Sequence, residues 1–426
     1  MNSLSVPSTN KIATSVNSEI GKLTGVILHS PGSEVENMTP DTVQKALYSD
    51  ILNLEVATQE YNQFKLVLDK YTTTFQVREL LNEILKNDKV KSSLVHTICD
   101  HERVDRIREN LLAMDADTLT TALIEGVELT RDNLSKFLSK DRFDLEPLHN
   151  FFFTRDASIS VGNEVFISKM ASRIRDRESQ IMEAIFDYHP LFDTQTINSH
   201  ASKHLCKEFS FEGGDFLVAR EDILLIGTGL RTTPRAIDFI IDHYKKSKET
   251  KHIIVQELPY EPESFIHLDM VFTFIDKDLC MIYEPLIMRS SRFLTIHITI
   301  ENGKVKIIEE ENIPTALRKL GMEINTINCG GQIDIVIQER EQWHSGANFF
   351  ALEPGKVMGY GRNINTLEEL NRKGFDIVRA KDIINGKDNI EDHKKCVITI
   401  EGAELSRGGG GCRCMTMPVR REETDW

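Results

Sequence analysis

The stretch Glu212-Gly213-Gly214-Asp215-Phe216-Leu217-Val218-Ala219-Arg220-Glu221-Asp222-Ile223-Leu224-Leu225-Ile226 carries the pattern that decides the fold. Two apolar runs, residues 216–219 and 223–226, flank the polar Arg220-Glu221-Asp222, so local rules predict a β-hairpin. Two acids around a glycine pair stand directly before it. Working outward, the same arrangement recurs. Thr154-Arg155-Asp156 precedes runs 157–161 and 165–168, which flank Gly162-Asn163. His267-Leu268-Asp269 precedes runs 271–275 and 279–283. Asn348 precedes runs 349–352 and 357–360. The spacings are 59 residues from Asp156 to Asp215, 54 to Asp269 and 79 to Asn348. Helical patterns over 173–188 and 234–244 lie between. A unit repeated with polar residues at equivalent strand starts suggests a radial α/β array with its site at the centre. The competing reading is an ordinary mixed α/β sheet whose polar residues only flank hairpins.

Two segments lie outside this repeat. Residues 24–30 read as a buried strand closed by Pro31-Gly32. Residues 75–142 keep a helical pattern: Val77, Leu80, Leu81, Ile84 and Leu85 form one stripe, and Val104, Ile107 and Leu111 another. Asp117 and Thr130 resemble caps and Gly126 a stop. The expectation is an all-helical insert.

Composition narrows the class. The chain has 426 residues, 40% apolar and 27% charged, with a net charge of −15. That is a folded protein rather than a disordered one. The acidic balance argues against a nucleic-acid partner, because phosphate binding depends on clustered Lys and Arg. Residues 1–10 lack the basic start and apolar core of a signal peptide, and no run approaches a membrane span. Seven cysteines are too few for a disulfide scaffold, so a cytoplasmic protein with reduced thiols is expected.

The most unusual chemistry lies in Arg407-Gly408-Gly409-Gly410-Gly411-Cys412-Arg413-Cys414. Four glycines permit close approach of the backbone to a ligand. A phosphate loop would need a following Lys-Ser/Thr, which is missing. A metal site would need a second Cys pair at suitable spacing, also missing. A nucleophilic thiol would need a nearby cation or base, and Arg413 is adjacent. In His267-Leu268-Asp269, strand geometry would turn both side chains to one face. Asp156 follows Phe151, Phe152 and Phe153, which hints at a cationic partner, with Arg155 a candidate. Gly227-Thr228-Gly229 is a partial dinucleotide fingerprint lacking its third glycine. Arg231, close to a helix start, is placed to meet a carboxylate. Arg175, in the charge run 173–178, reads by itself as part of a solvated helix face.

In order along the chain, Phe153-Thr154-Arg155-Asp156, Glu212-Gly213-Gly214-Asp215, His267-Leu268-Asp269 and Cys414-Met415-Thr416-Met417-Pro418 are similar to the four signature motifs of the arginine deiminase family, within the guanidino-group-modifying superfamily. Gly21-Lys22-Leu23 through Thr39-Pro40 and Leu352-Glu353-Pro354-Gly355 resemble further family segments, so the likeness spans the chain. It implies a five-bladed α/β propeller of pseudo-symmetric ββαβ-type modules, one catalytic domain over 1–426 with the helical insert at 75–142. It implies hydrolysis of free L-arginine to L-citrulline and ammonia in arginine catabolism, without metal or organic cofactor. Cys414 would be the nucleophile and form a covalent thiouronium intermediate. His267 would be the general acid and base, with Glu212 holding it protonated or relaying protons. Asp156 and Asp269 would each grip the guanidinium. Arg175 and Arg231 would bind the α-carboxylate, with Asn150 and Phe153 lining that end, and Asp215 would contribute to substrate binding. No membrane or nucleic-acid partner is implied, and a homo-oligomer, dimer or higher, is expected. Gly409 stands where some family members carry a second arginine. Cys412, two residues from Cys414, is expected to link to it reversibly under oxidation. The other readings are a related amidinotransferase or methylated-arginine hydrolase, a non-catalytic arginine-binding protein, and, resting on Gly227-Thr228-Gly229 alone, a nucleotide-dependent enzyme.

Overall fold

The structure, a computed structural model, describes residues 11–40, 43, 50–289, 291–332 and 334–426. The polar start at residues 1–10 lies outside the described residues. All four predicted hairpins form. Ser158–Val161 pairs antiparallel with Glu164–Ile167, Phe216–Arg220 with Ile223–Thr228, Phe272–Asp276 with Leu279–Ile282, and Phe350–Glu353 with Lys356–Tyr360. In each, the second strand then pairs in parallel with a later one: Gln195–Ile197, Lys251–Glu257, Asn325–Asn328 and Cys396–Ile400. A parallel partner needs a crossover, and helices supply it: Asp176–Tyr188, Pro234–Tyr244, Ile313–Lys319 and Ile364–Arg372. Pro234–Tyr244 shows why such segments are helical. Proline sits at its first turn, and Ala236, Ile237, Ile240, Ile241 and Tyr244 form one buried face.

A fifth sheet of the same pattern is built from the two ends of the chain. Leu23–Leu28 pairs antiparallel with Met417–Arg421 and, across the helix Leu54–Tyr71, in parallel with Thr73–Gln76. The result is an α/β fold of mixed sheets. One sheet is extended: the hairpin Thr295–Glu301 and Lys304–Glu310 adds two strands beyond Lys251–Glu257.

The segment expected to be all-helical is mostly so. Helices Val77–Leu85, Asp88–Glu102, Arg108–Ala113, Ala116–Glu125 and Leu134–Leu138 occupy it. Two features differ. Residue 75 lies inside the strand Thr73–Gln76, and Val127–Glu128 pairs with Phe143–Leu145. The caps shift as well. Asp115, not Asp117, caps Ala116–Glu125 by accepting from the Thr118 N–H, Gly126 ends it, and Asn133 rather than Thr130 caps the next helix. The stripe from Val77 to Leu85 is buried in one cluster with Ile27, Val165, Ile181 and Met417, which fixes these helices onto two sheets. No helix among the described residues is long and apolar enough to cross a membrane.

Candidate active site

Each of the five sheets has a polar residue just before its first strand: Asp156, Glu212 with Asp215, His267 with Asp269, Asn348 and Cys414. These residues converge. The loops are tight turns rather than extended chain. Gly213–Asp215 and Leu268–Met270 are single 3₁₀ turns. The strand alternation expected for His267 and Asp269 therefore does not apply, and the two side chains reach the site on different partners.

His267 Nε2 lies 3.0 Å from Glu212 Oε2, and its Nδ1 lies 3.8 Å from Asp156 Oδ1. The imidazole packs against Gly214, where any Cβ would collide with the ring. Burial alone would push its pKa down, but Asp156, Glu212 and Asp215 carry it up to about 9. Burial likewise works against the charged form of Glu212, yet Arg231, His267 and Arg175 hold this carboxyl well below the usual range. Arg231 Nη1 donates to Glu212 at 3.1 Å. Asp215 accepts from the Leu268 N–H at 2.9 Å, and burial raises it to about 7. It therefore braces the turn that carries His267.

Asp156 finds its cation in Arg175 rather than Arg155. Arg175 Nη1 donates to Asp156 Oδ2 at 3.1 Å, and its Nε and Nη2 are gripped by Glu178 at 3.0 and 2.9 Å. The solvated helix face read from the sequence is thus a buried one, since Arg175, Asp176, Arg177 and Glu178 are all buried. Arg155 turns instead to the Arg413 carbonyl and to Thr416. Asp156 Oδ1 is buried without a hydrogen-bond partner.

On the other side, Cys414 Sγ lies 3.7 and 3.9 Å from the two oxygens of Asp269 and 3.3 Å from Asn348 Nδ2. Asn348 also donates to the Asp269 carbonyl at 3.0 Å and accepts from the Arg413 N–H at 2.9 Å. A Cβ on Gly411 would come within 2.5 Å of Asn348 Oδ1, so the glycine loop can close here only as glycine. Burial, Asp269 and Asp156 push the Cys414 thiol well above its usual value, opposed by the Gly411 backbone and Arg413. Arg413 directs its hydrogen bonds elsewhere than the sulfur. It donates to Asp269 Oδ2 at 2.8 Å and to both oxygens of Glu19 at 2.9 and 3.0 Å. Cys412 is buried in the same apolar cluster as Cys414, burial raises its thiol pKa strongly, and both are free thiols.

Phe153 is buried, stacked 4.1 Å from Phe152, and lies against Gly410. Asn150 is buried in the turn before it, its carbonyl accepting the Phe153 N–H at 2.9 Å. Gly227 lies within a strand, against Asp215 and Leu268, and not at a nucleotide turn. For a metal, Asp156, Glu212 and His267 bring three ligand atoms within 4.8 Å of one another. Arg175 and Arg231 already supply positive charge to the same carboxylates.

Three contributors escaped the sequence-based site, Asn348, Glu178 and Glu19, while Arg413, expected as the cation beside the thiol, pairs with Asp269 and Glu19 instead. Asn348 had a signal, because it occupies the position before a hairpin that Asp156, Asp215 and Asp269 occupy elsewhere. Glu178, three residues after Arg175, had a weaker one in helical i,i+3 spacing. Glu19 comes from an irregular N-terminal segment and had none.

A family model described as Arginine deiminase matches residues 44–421. The arginine deiminase of Listeria monocytogenes serotype 4b is 33% identical over 428 residues, covering 96% of this chain and 98% of that protein. The arginine deiminase of Bacillus cereus is 33% identical over 431 residues, with the same coverage. Among solved structures, an amidinotransferase from Microseira wollei in the saxitoxin biosynthetic pathway superposes with a TM-score of 0.53 at 13% identity, over 97% of this chain and 98% of that one. The product-bound N-terminal domain of ArgZ, an arginine dihydrolase of the ornithine–ammonia cycle in cyanobacteria, gives 0.51 at 13% identity, over 93% and 97%. At such identities the likeness shows a shared α/β fold.

Proposed function

The chain belongs to the arginine deiminase family, and we propose that it hydrolyses free L-arginine to L-citrulline and ammonia. The observation that carries this reading is a thiol beside carboxylates that already hold guanidinium groups. Asp269, 3.7 Å from Cys414 Sγ, accepts from Nη1 of Arg413, and Asp156 accepts from Nη1 of Arg175. A planar cation is what such carboxylates are shaped to take. Asp156 Oδ1, which accepts no hydrogen bond and lies 3.8 Å from His267 Nδ1, offers one further acceptor.

In the proposed reaction the guanidinium of the substrate lies between Asp156 and Asp269, which orient its central carbon toward Cys414. Its positive charge offsets the two carboxylates that disfavour the thiolate. The thiolate adds to the carbon. His267 gives a proton to one terminal nitrogen, the C–N bond breaks, and ammonia leaves a thiouronium on Cys414. His267 then takes a proton from water as its oxygen attacks the same carbon, and cleavage of the C–S bond releases citrulline. Glu212 keeps His267 charged, and Asn348 donates a hydrogen bond to the sulfur. Arg175 and Arg231 are proposed to meet the α-carboxylate, with Asn150 and Phe153 lining that end, once the pairs they make here with Asp156, Glu178 and Glu212 open.

The matching strand pattern of the five sheets, each with a site residue before its first strand, supports an arrangement as blades of a five-bladed α/β propeller, one domain with the helices near 75–142 inserted in it. The test is incubation with L-arginine without added metal or nucleotide. Citrulline and ammonia in equal amounts are expected, with little product from agmatine, which lacks the carboxylate. No citrulline, or citrulline still formed by Cys414→Ser, would refute the mechanism.

A further inference from the structure

One sheet reverses its direction of growth. Its order is Phe350–Glu353, Lys356–Tyr360, Cys396–Ile400, Asp376–Arg379, and the last three strands are parallel. From Lys356–Tyr360 the chain passes through the helix Ile364–Arg372 to the outermost strand, Asp376–Arg379. It then comes back through the helix Ala380–Ile384 and sets Cys396–Ile400 between the two. Crossovers of one hand that run in opposite directions put their helices on opposite faces. They do so here, since Leu367 and Leu370 pack in one apolar cluster and Ala380 and Ile383 in another. Loops that diverge in this way open a crevice outside the carboxyl ends of the strands, where α/β sheets of this kind take their ligands. Among the described residues no other sheet has three parallel strands.

A crevice of about 470 Å³ lies at that point, a size within the roughly 300–1,000 Å³ of small-molecule sites. The segments that follow all three strands line it, through Arg362, Lys381 and Glu401. Its walls include Leu367 and Ile377, and Ile377 is 41% exposed. Arg379 completes a set of three cations facing one carboxylate, Glu401, in a chain of net charge −15. Arg379 and Lys381 pair with Asp382 and Glu401. Those pairs are solvent-exposed and worth little, so both cations stay available to a ligand. Arg362 forms no ion pair among the described residues. Its Nη1 donates only to neutral acceptors, the Gly402 and Ala403 carbonyls, both at 3.2 Å, and Ser406 Oγ at 2.6 Å. These acceptors stand at the foot of the glycine loop 408–411 that leads to Cys414.

We propose that this crevice binds an organic anion with an apolar body. The charge meets Arg362, Arg379 and Lys381, and the body lies on Leu367 and Ile377. A ligand that draws Arg362 away from Gly402, Ala403 and Ser406 loosens the loop carrying Cys414 and slows the enzyme. This last step rests on the proposed arginine hydrolysis; the binding does not.

The test uses phenyl phosphate, a dianion on an apolar ring, with inorganic phosphate as the anion alone. Isothermal titration of the full chain should show phenyl phosphate binding more tightly than inorganic phosphate. Arg379→Glu/Lys381→Glu should weaken it about tenfold or more, by removing two charge-assisted contacts, and should leave the rate without phosphate unchanged. Glu401→Gln removes the one opposing carboxylate and should tighten binding, a gain that misfolding cannot mimic. Saturating phenyl phosphate should lower kcat for citrulline formation about fivefold, the low end of ordinary coupling between sites. No binding of phenyl phosphate, or binding untouched by the double variant, overturns the site. Equal affinity for inorganic phosphate overturns the apolar half of the proposal, and weaker binding by Glu401→Gln overturns the charge argument. Binding with an unchanged kcat overturns the link to the loop. A chain that forms no citrulline even without phosphate refutes the proposed reaction instead, and titration still decides the site.

Discussion

The site is built from two halves of one design. In one, Glu178 grips Nε and Nη2 of Arg175, whose Nη1 reaches Asp156. In the other, Glu19 grips Nε and Nη2 of Arg413, whose Nη1 reaches Asp269. Distances and burial are nearly the same, yet the outer acids behave oppositely. Burial lifts Glu178 to about 7, because Arg175 is shared with Asp156 and Glu212. Burial also works against Glu19, but Arg413, Arg155 and Arg421 bring it down to about 2. The half around His267 has carboxylates in surplus and retains protons. The half around Cys414 has guanidinium groups in surplus. One side is suited to moving protons; on the other the guanidinium groups hold Asp269 ionised beside Cys414, whose thiolate is disfavoured until a cation arrives.

The largest expected effect comes from removing the group that makes the second half reactive. Cys414→Ser should lower kcat by a factor of about 10⁴ or more, since an alcohol is a far weaker nucleophile than a thiol at neutral pH. Citrulline release measures it. An unchanged melting temperature would show that the loss is chemical.

Next comes Glu19→Gln, which strips the doubly bonded partner from a fully buried guanidinium. Breaking a buried pair from one side costs about 3–5 kcal/mol, read by urea unfolding at pH 7. Glu19 has a depressed folded pKa, so its contribution is present above 4.5 and is lost as pH falls toward about 2. The difference between variant and wild type should shrink across that window. A constant difference would remove the contrast drawn between the two acids.

Asn348→Ala tests whether the second half also depends on a neutral donor. Loss of one positioned donor costs about 10²–10³ in kcat. Alkylation of Cys414 by iodoacetamide should then need a higher pH than in the wild type. An unmoved alkylation profile would leave Asn348 a scaffold residue.

Sequence and structure part company along the same line. The four local hairpins were legible because apolar runs and turn residues lie within a few positions of each other. The fifth was not, because Leu23–Leu28 meets Met417–Arg421 across nearly the whole chain and no local signal joins them. Side chains standing before predicted hairpins were found for a similar reason. Arg413 read as a cation for the thiol because it adjoins Cys414, yet its partners are Glu19 and Asp269. Glu19 was invisible, since an acid in an irregular segment acquires its meaning only from the three arginines that fold around it.

On the proton-holding side, Glu212→Gln should move the alkaline limb of kcat/KM. His267, carried up to about 9 in part by Glu212, would drop toward its ordinary value. A shift of about one pH unit corresponds to about 1.4 kcal/mol. The limb reports the coupled Cys414–His267 system rather than one residue, so its movement, not its absolute position, is diagnostic. A limb that stays in place would mean that Asp156 and Asp215 suffice to hold the proton.

The smallest effect should be that of Glu178→Gln, although its geometry copies that of Glu19. With a folded pKa raised from 4.5 to about 7, the stability linked to this carboxyl is full below 4.5 and is lost as pH rises through 7. Near pH 6 the group is largely protonated in the folded protein, and glutamine is a close replacement that still offers one oxygen to Arg175. The variant should therefore lie within about 1 kcal/mol of wild type at pH 6, the range of one neutral hydrogen bond. It should gain relative to wild type as pH rises through 7, the reverse of the trend for Glu19→Gln, where the deficit is largest at neutral pH. Urea unfolding of both variants at pH 4, 6 and 8 measures the two slopes. Slopes of the same sign would mean that the surplus of carboxylates around Arg175 does not govern Glu178.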